Sequence, residues 1–254
     1  MPIRSTRCSS PAISIAHAAH PRLPRRDALK VLSPGGGDDF EFTARFVREA
    51  ELVARLEHPN IVRVYDRGIE RGCLWLAMAF VDGVDAAELL RGNPAGLPPE
   101  RVAHIVAEVG RGLDEAHRLG LLHRDVKSAN ILLESRSGEP DLVFISDFEV
   151  ARPMAESEVL TEDGTVLSAL AYAAPEALAG EAVDQRVDVY ALGCTLFELL
   201  TGTVHFPASS PGHSVERRIA VCGRAGQHHI LGCLRFHRAG AVHALTVDTA
   251  GQWL

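Results

Sequence analysis

His123-Arg124-Asp125-Val126-Lys127-Ser128-Ala129-Asn130 sets a carboxylate, an ammonium and an amide within eight residues. Asp125, Lys127 and Asn130 offer three different groups: a proton acceptor, a compact positive charge and a neutral hard oxygen. That set at that spacing suits phosphoryl transfer, where catalysis rests on positioning and on neutralising charge rather than on covalent chemistry. Solvated loops hold the same residue types, but the order found here singles this stretch out.

On its N-terminal side, Ala28-Leu29-Lys30-Val31-Leu32 reads as a strand closed by the turn-forming Ser33-Pro34-Gly35-Gly36-Gly37. A helix follows, with Phe42, Phe46, Val53 and Leu56 at helical spacing and His58-Pro59-Asn60 ending it. Glu49 falls on that apolar stripe. A carboxylate facing a core needs a cation, and Lys30 on the preceding strand is the obvious one, the bland alternative being an edge position reaching solvent. Ile61 to Tyr65 and Cys73 to Phe80 read as two more strands. Val81-Asp82-Gly83 reads as a hinge. The chain then turns helical over Ala86 to Leu90 and Pro99 to Leu119, the second with Val102, Ile105, Val106, Val109 and Leu113 on one side.

Beyond the opening stretch, short strands at Ile131 to Leu133 and Leu142 to Ile145 put Asp147 at a strand end. Val187 to Leu200 is apolar on most faces and reads as a buried central helix. From about Thr203 no helical stripe can be traced, and six of the twelve histidines fall there. Cys222, His228, His229, Cys233 and His237 are zinc-ligand types, but their spacing fits no paired-ligand pattern, so a poorly ordered tail is the preferred reading.

Composition sets the outer bounds. A formal charge of -7 gives no basic field for nucleic acid. Five scattered cysteines without a Cys-x-x-Cys pair argue against a disulfide framework and for a reducing, cytoplasmic setting. No run reaches the roughly 18 apolar residues of a membrane span, and the N-terminus has no continuous apolar region of a secretory signal.

With these residues together, the chain resembles the bacterial eukaryotic-like serine/threonine protein kinases over roughly Pro21 to Gly202. Ala28-Leu29-Lys30 matches the strand that supplies the nucleotide-phosphate lysine, and Arg48-Glu49-Ala50 the helix that supplies its glutamate. The resemblance implies Asp125 as base, Lys127 on the moving phosphoryl group, and Asn130 and Asp147 as Mg²⁺ ligands, with ATP as the phosphoryl donor and a protein as substrate or signalling partner. It also places Ala28, Met78 as gatekeeper, Val81 as hinge and Leu132 as floor around adenine. Asp188, in Asp188-Val189-Tyr190-Ala191-Leu192-Gly193, matches the residue that supports the catalytic loop.

Several positions depart from the family. Asp147-Phe148-Glu149 stands where it has Asp-Phe-Gly. Counting back from Tyr172, ahead of Ala174-Pro175-Glu176, its Gly-Thr pair falls on Ser168-Ala169, so the hydroxyl that ties the catalytic aspartate to the lysine is replaced by a methyl. Thr161, Thr165 and Ser168 are candidate phosphorylation sites whose phosphates could pair with Arg124. The Gly-rich hairpin over the phosphates is missing, since the first glycine, Gly35, already lies past Lys30, and the helices expected after Thr203, with the arginine that pairs with Glu176, cannot be placed. The expected fold is α+β and two-lobed, with an unmatched segment 1–20, a partial β-rich N-terminal lobe 21–81, a helical lobe 82–202 and an unassigned tail 203–254. The expected function is transfer of the ATP γ-phosphoryl group to protein Ser/Thr hydroxyls with impaired activity. The alternatives are a pseudokinase acting as a nucleotide-binding or protein-interaction module, and a truncated or frame-shifted remnant. Oligomeric state is left open.

Overall fold

A computed structural model describes residues 13–19, 24–32, 40–70, 73–148 and 171–204, with backbone alone at 13–19, 40–42 and 45. The expectations for Gly35, Glu149, Thr161, Thr165, Ser168, Ala169 and the Cys/His positions from 205 onward lie outside those residues.

The N-terminal part is a four-stranded antiparallel sheet in the order β1-β2-β4-β3, formed by β1 (Ile13–Ala19), β2 (Arg26–Leu32), β3 (Val64–Glu70) and β4 (Cys73–Ala79). β2 buries Asp27, Leu29 and Leu32 and leaves Lys30 half-buried opposite Leu76 of β4. β1 falls in a segment to which the sequence reading assigned no element. Its Ser- and His-interrupted pattern shows no run, and it is a strand because all seven residues pair with β2.

Helix α1 (Phe40–Val53) buries Phe46, Ala50 and Val53, one stripe at i, i+4 and i+7, against the sheet. It stops three residues before the buried Leu56, because the backbone tightens there into turns from Arg55 to Leu52 and from Leu56 to Val53. The strand expected at Ile61 to Tyr65 begins at Val64 instead. Ile61 bridges Ile145, and the backbone around it bonds across to the second lobe: Ile145 N donates to Asn60 O at 2.8 Å and Val62 N to Ile145 O at 3.0 Å. The β-branched run was read correctly as extended, but its partner is elsewhere.

A second small sheet, β5 (Val84–Asp85), β6 (Ile131–Glu134) and β7 (Leu142–Ile145), lies under helix α2 (Ala86–Arg91), whose first turn is capped by Asp85 Oδ1 accepting from Glu88 N. Helix α3 (Pro99–Arg118) starts with Pro at its first position and buries Val102, Ile105, Val106, Val109, Leu113 and Ala116 completely. At about 1.5–3 kcal/mol for each large apolar side chain, that stripe contributes roughly 10 kcal/mol gross, far more than any surface pair on the same helix. A short helix α4 (Pro175–Leu178) precedes α5 (Arg186–Thr201), the central helix, which ends on left-handed Gly202. Among the described residues no helix is long and apolar enough to cross a membrane. Cys73 is disulfide-bonded, contrary to the expectation from cysteine count, while Cys194 on α5 is a buried thiol outside any disulfide.

Gly83 and Gly96 are required by close approach. A Cβ on Gly83, in the hinge, would lie 2.0 Å from Leu133 O of β6. At Gly96, with φ +90°, it would lie 2.2 Å from Leu200 O, because the loop before α3 docks on the end of α5 through Leu97 N to Leu199 O at 2.8 Å. Gly96→Ala adds left-handed strain to a backbone clash and is expected to lower unfolding free energy by about 2–4 kcal/mol, read by chemical denaturation. A loss within about 0.5 kcal/mol would show that this docking is slack.

Candidate functional site

The catalytic stretch has no regular backbone, so its shape must come from outside it. That source is Asp188, fully buried in the first turn of α5. Its Oδ2 accepts from His123 N at 2.8 Å and from His117 Nε2 at 2.7 Å, and its Oδ1 accepts from Arg124 N at 2.7 Å. Burial alone would raise its pKa, yet the His117 hydrogen bond, the nearby His123 ring and the two backbone donors hold the carboxyl below its usual value. The arrangement keeps Arg124 at φ 63°, a left-handed conformation that disfavours a long side chain.

His123 is also fully buried. Asp125 N donates to its Nδ1 at 3.2 Å, so that nitrogen is the acceptor and Nε2–H must donate to Ser146 O, 2.8 Å away. Burial pushes the imidazole below its ordinary pKa, and Asp188 and the Ser146 carbonyl only partly offset this. Neutral His123 thus joins the catalytic loop to the strand end that carries Asp147. Its ring lies 4.5 Å from that of Phe148.

Within the loop, Lys127 Nζ donates to both oxygens of Asp125, at 3.0 Å to Oδ1 and 2.7 Å to Oδ2. Asn130 Nδ2 adds bonds to Asp125 Oδ2 at 3.0 Å and to Asp125 O at 2.7 Å. The three residues that the sequence singled out therefore form one unit. Asn130 sits in a short 3₁₀ turn, Ser128–Asn130, and accepts through its backbone carbonyl from Ser146 N at 2.9 Å and Ser146 Oγ at 3.2 Å. This fixes Asp147 beside it, also left-handed at φ 62°.

Lys30 Nζ stands 3.0 Å from Asp147 Oδ1. This pair bridges the lysine strand to the strand end that carries Asp147, and Glu49, which the sequence reading named as the cation's partner, is half-buried on α1. The Lys30 approach lies off hydrogen-bond direction, leaving Asp147 Oδ1 a buried oxygen with no directed donor. Both side-chain bonds of Asn130 run through Nδ2, so they leave its Oδ1 unused. Asp147 Oδ1 and Asn130 Oδ1 are thus the two hard oxygens that these bonds leave over. That donor set fits Mg²⁺, which selects oxygen ligands.

Of the adenine-pocket candidates, Ala28 and Met78 face one another across β2 and β4, Val81 is half-buried in the hinge, and Leu132 is half-buried on β6. The sequence reading missed His117, Ser146 and Asn60. Asn60 is buried and donates from Nδ2 to Glu108 Oε2 at 2.8 Å and to Val143 O at 3.0 Å, joining the end of the α1 loop to α3 and β7. The run His58-Pro59-Asn60 carried only a helix-stop signal.

A β-rich lobe carrying Lys30, a helical lobe carrying an ordered Asp-Lys-Asn unit, and a strand-end aspartate between them define a protein kinase domain. The chain belongs to that family: the protein kinase domain profile matches residues 22–228. It is 49% identical over 193 residues to the serine/threonine-protein kinase PknJ of Mycobacterium tuberculosis (strain ATCC 25618 / H37Rv), covering 76% of this chain and 32% of that protein. It is 44% identical over 204 residues to PknF of the same strain, covering 80% of this chain and 43% of PknF. The crystal structure of the M. tuberculosis PknI kinase domain superposes with a TM-score of 0.64 at 40% identity, over 79% of this chain and 72% of that one. The chain thus spans about a third to two fifths of the length of these two full-length relatives.

Two outcomes follow from the buried pair. Asp188→Ala leaves two backbone N–H groups and His117 without their acceptor and is expected to lower unfolding free energy by about 3–5 kcal/mol in a denaturant titration. His123 has a lowered native pKa, so as pH falls below about 6.5 the unfolded chain takes up a proton that the native chain refuses. Its contribution is full above that pH and is lost below it. The thermal midpoint should fall between about pH 7.5 and about pH 5.5, and His123→Asn should flatten that fall; an unchanged slope would remove His123 as the cause.

Proposed function

We propose that this chain is the catalytic domain of a serine/threonine protein kinase that transfers the γ-phosphoryl group of ATP to hydroxyls of a protein substrate, at a rate below the family range of about 1–100 per second. The observation that carries this reading is the closed Asp125, Lys127 and Asn130 unit standing beside an Asp147 already paired with Lys30.

In this reading Asp125 Oδ2 is taken by two donors, while Oδ1 holds one at 3.0 Å. Oδ1 is then the oxygen that receives the substrate hydroxyl proton as the hydroxyl oxygen attacks the γ-phosphorus and ADP departs. Lys127 keeps the carboxylate in one rotamer and shares its charge with the phosphoryl oxygens. Lys30 shifts from Asp147 toward the nucleotide phosphates. Asn130 Oδ1 and Asp147 would hold Mg²⁺, which supplies neutralisation of phosphate charge when bound. Ala28, Met78, Val81 and Leu132 would enclose adenine, and Glu49 would steady Lys30.

The reduced rate rests on sequence positions: Glu149 in place of a glycine, a methyl at Ala169, and no glycine ahead of Gly35. The same positions support the alternative of a nucleotide-binding or interaction module. One assay separates the two. Purified protein with Mg-ATP and a generic basic protein should incorporate phosphate, and Asp125→Asn should reduce it by about 10²–10⁴-fold, the contribution of a positioned base. Equal incorporation by both proteins would reject catalysis through Asp125.

A further inference from the structure

Two adjacent arginines stand at the start of β2, and each meets both a ring and a carboxylate. Arg25 lies over the Tyr65 ring of β3, its guanidinium carbon 4.1 Å from the centroid, with Nε 2.8 Å from Oδ1 of the buried Asp27. Arg26, the first residue of β2, lies over the Phe80 ring at 4.2 Å and donates from Nη2 to Asp82 Oδ2 at 2.9 Å. Phe80 and Asp82 are the two chain neighbours of Val81. One side chain thus grips the hinge on both sides of the residue expected against adenine.

Alternation along β2 puts Arg26 on the same sheet face as Ala28 and Lys30, opposite the buried Asp27 and Leu29. That face therefore carries, at intervals of two residues, the hinge contact, a position expected against adenine, and the lysine paired with Asp147. The hinge is also pressed against β6, where a Cβ on Gly83 would meet Leu133 O. It is held from β6 at Gly83 and from β2 at Phe80 and Asp82. The ion pair alone contributes little, because its side chains are 55% and 74% exposed. The ring beneath the planar guanidinium adds a contact that fixes its place, one that a lysine does not reproduce. We infer that Arg26 is a positioning residue that sets the hinge for adenine and thereby governs nucleotide affinity and choice of base rather than the chemical step. This rests on the kinase reading above; Arg26 touches no reacting atom.

The test uses the whole chain in two measurements. In the phosphate-transfer assay, Arg26→Ala is expected to raise KM for ATP about three- to tenfold, the worth of one exposed ion pair and one cation–π contact, with kcat within about twofold of wild type. KM for GTP, whose base offers the hinge a different edge, should rise less, so the preference for ATP narrows. Arg26→Lys, which keeps the charge but not the planar stack, should fall between the two proteins. A merely structural Arg26 would lower the thermal midpoint and leave KM and base preference as they were, and that result overturns the proposal. An equal rise for ATP and GTP does so too, since it marks a general charge effect on the phosphates. If the wild type and Asp125→Asn are equally silent, the catalytic reading fails by itself, and backbone hydrogen exchange then reads the hinge. Arg26→Ala should speed exchange at 80–83 and leave 105–113 on α3 unchanged; exchange at 80–83 equal to wild type rejects the role given to Arg26.

Discussion

The buried carboxylate of Asp188 organises the catalytic half of this molecule. It takes two backbone N–H groups from a loop without regular structure and one ring nitrogen from α3. Removing a carboxylate from water is costly unless its lone pairs are filled, and here three donors fill them. In return the loop loses its freedom, and Arg124 is kept in a conformation that its side chain would not choose. The central helix is therefore more than hydrophobic packing, since its first turn carries the charge that shapes the site.

From that anchor the geometry passes outward through short polar contacts rather than through the core. His123 carries it to Ser146, Ser146 to Asn130, and Asn130 to Asp125. On the other side the backbone of Asn60 and Val62 grips Ile145, two residues before Asp147, while Asn60 reaches α3 through Glu108. The end of α1 is thus fastened to the strand that presents Asp147, so the two lobes meet where Lys30 and Asp147 pair. A shift at Asn60 changes the position of Asp147 without touching it.

Much of the fold could be read from pattern. β2, β4, α2, α3 and α5 lie where spacing put them, because each has one buried face and an apolar period that matches its geometry. The misses share a cause. β1 has no period and is a strand only through β2, and the strand expected at Ile61 starts at Val64 because its first residues bond to Ile145, far along the chain. In the site, Asp125, Lys127 and Asn130 were legible because they are close in sequence and meet through local bonds. The pair of Lys30 with Asp147, 117 residues on, has no signature in local spacing.

Residue type and short-range order by themselves determined that a carboxylate, an ammonium and an amide would form one unit and that α3 and α5 would be buried helices. These follow from local hydrogen-bonding reach and from periodicity, both written along the chain. Only the tertiary structure decided that Lys30 meets Asp147, which tautomer His123 adopts, and that Tyr172 donates to Glu198. Each of those depends on which distant groups are brought within about 3 Å of one another, a distance that hydrogen bonding demands and that sequence spacing does not encode.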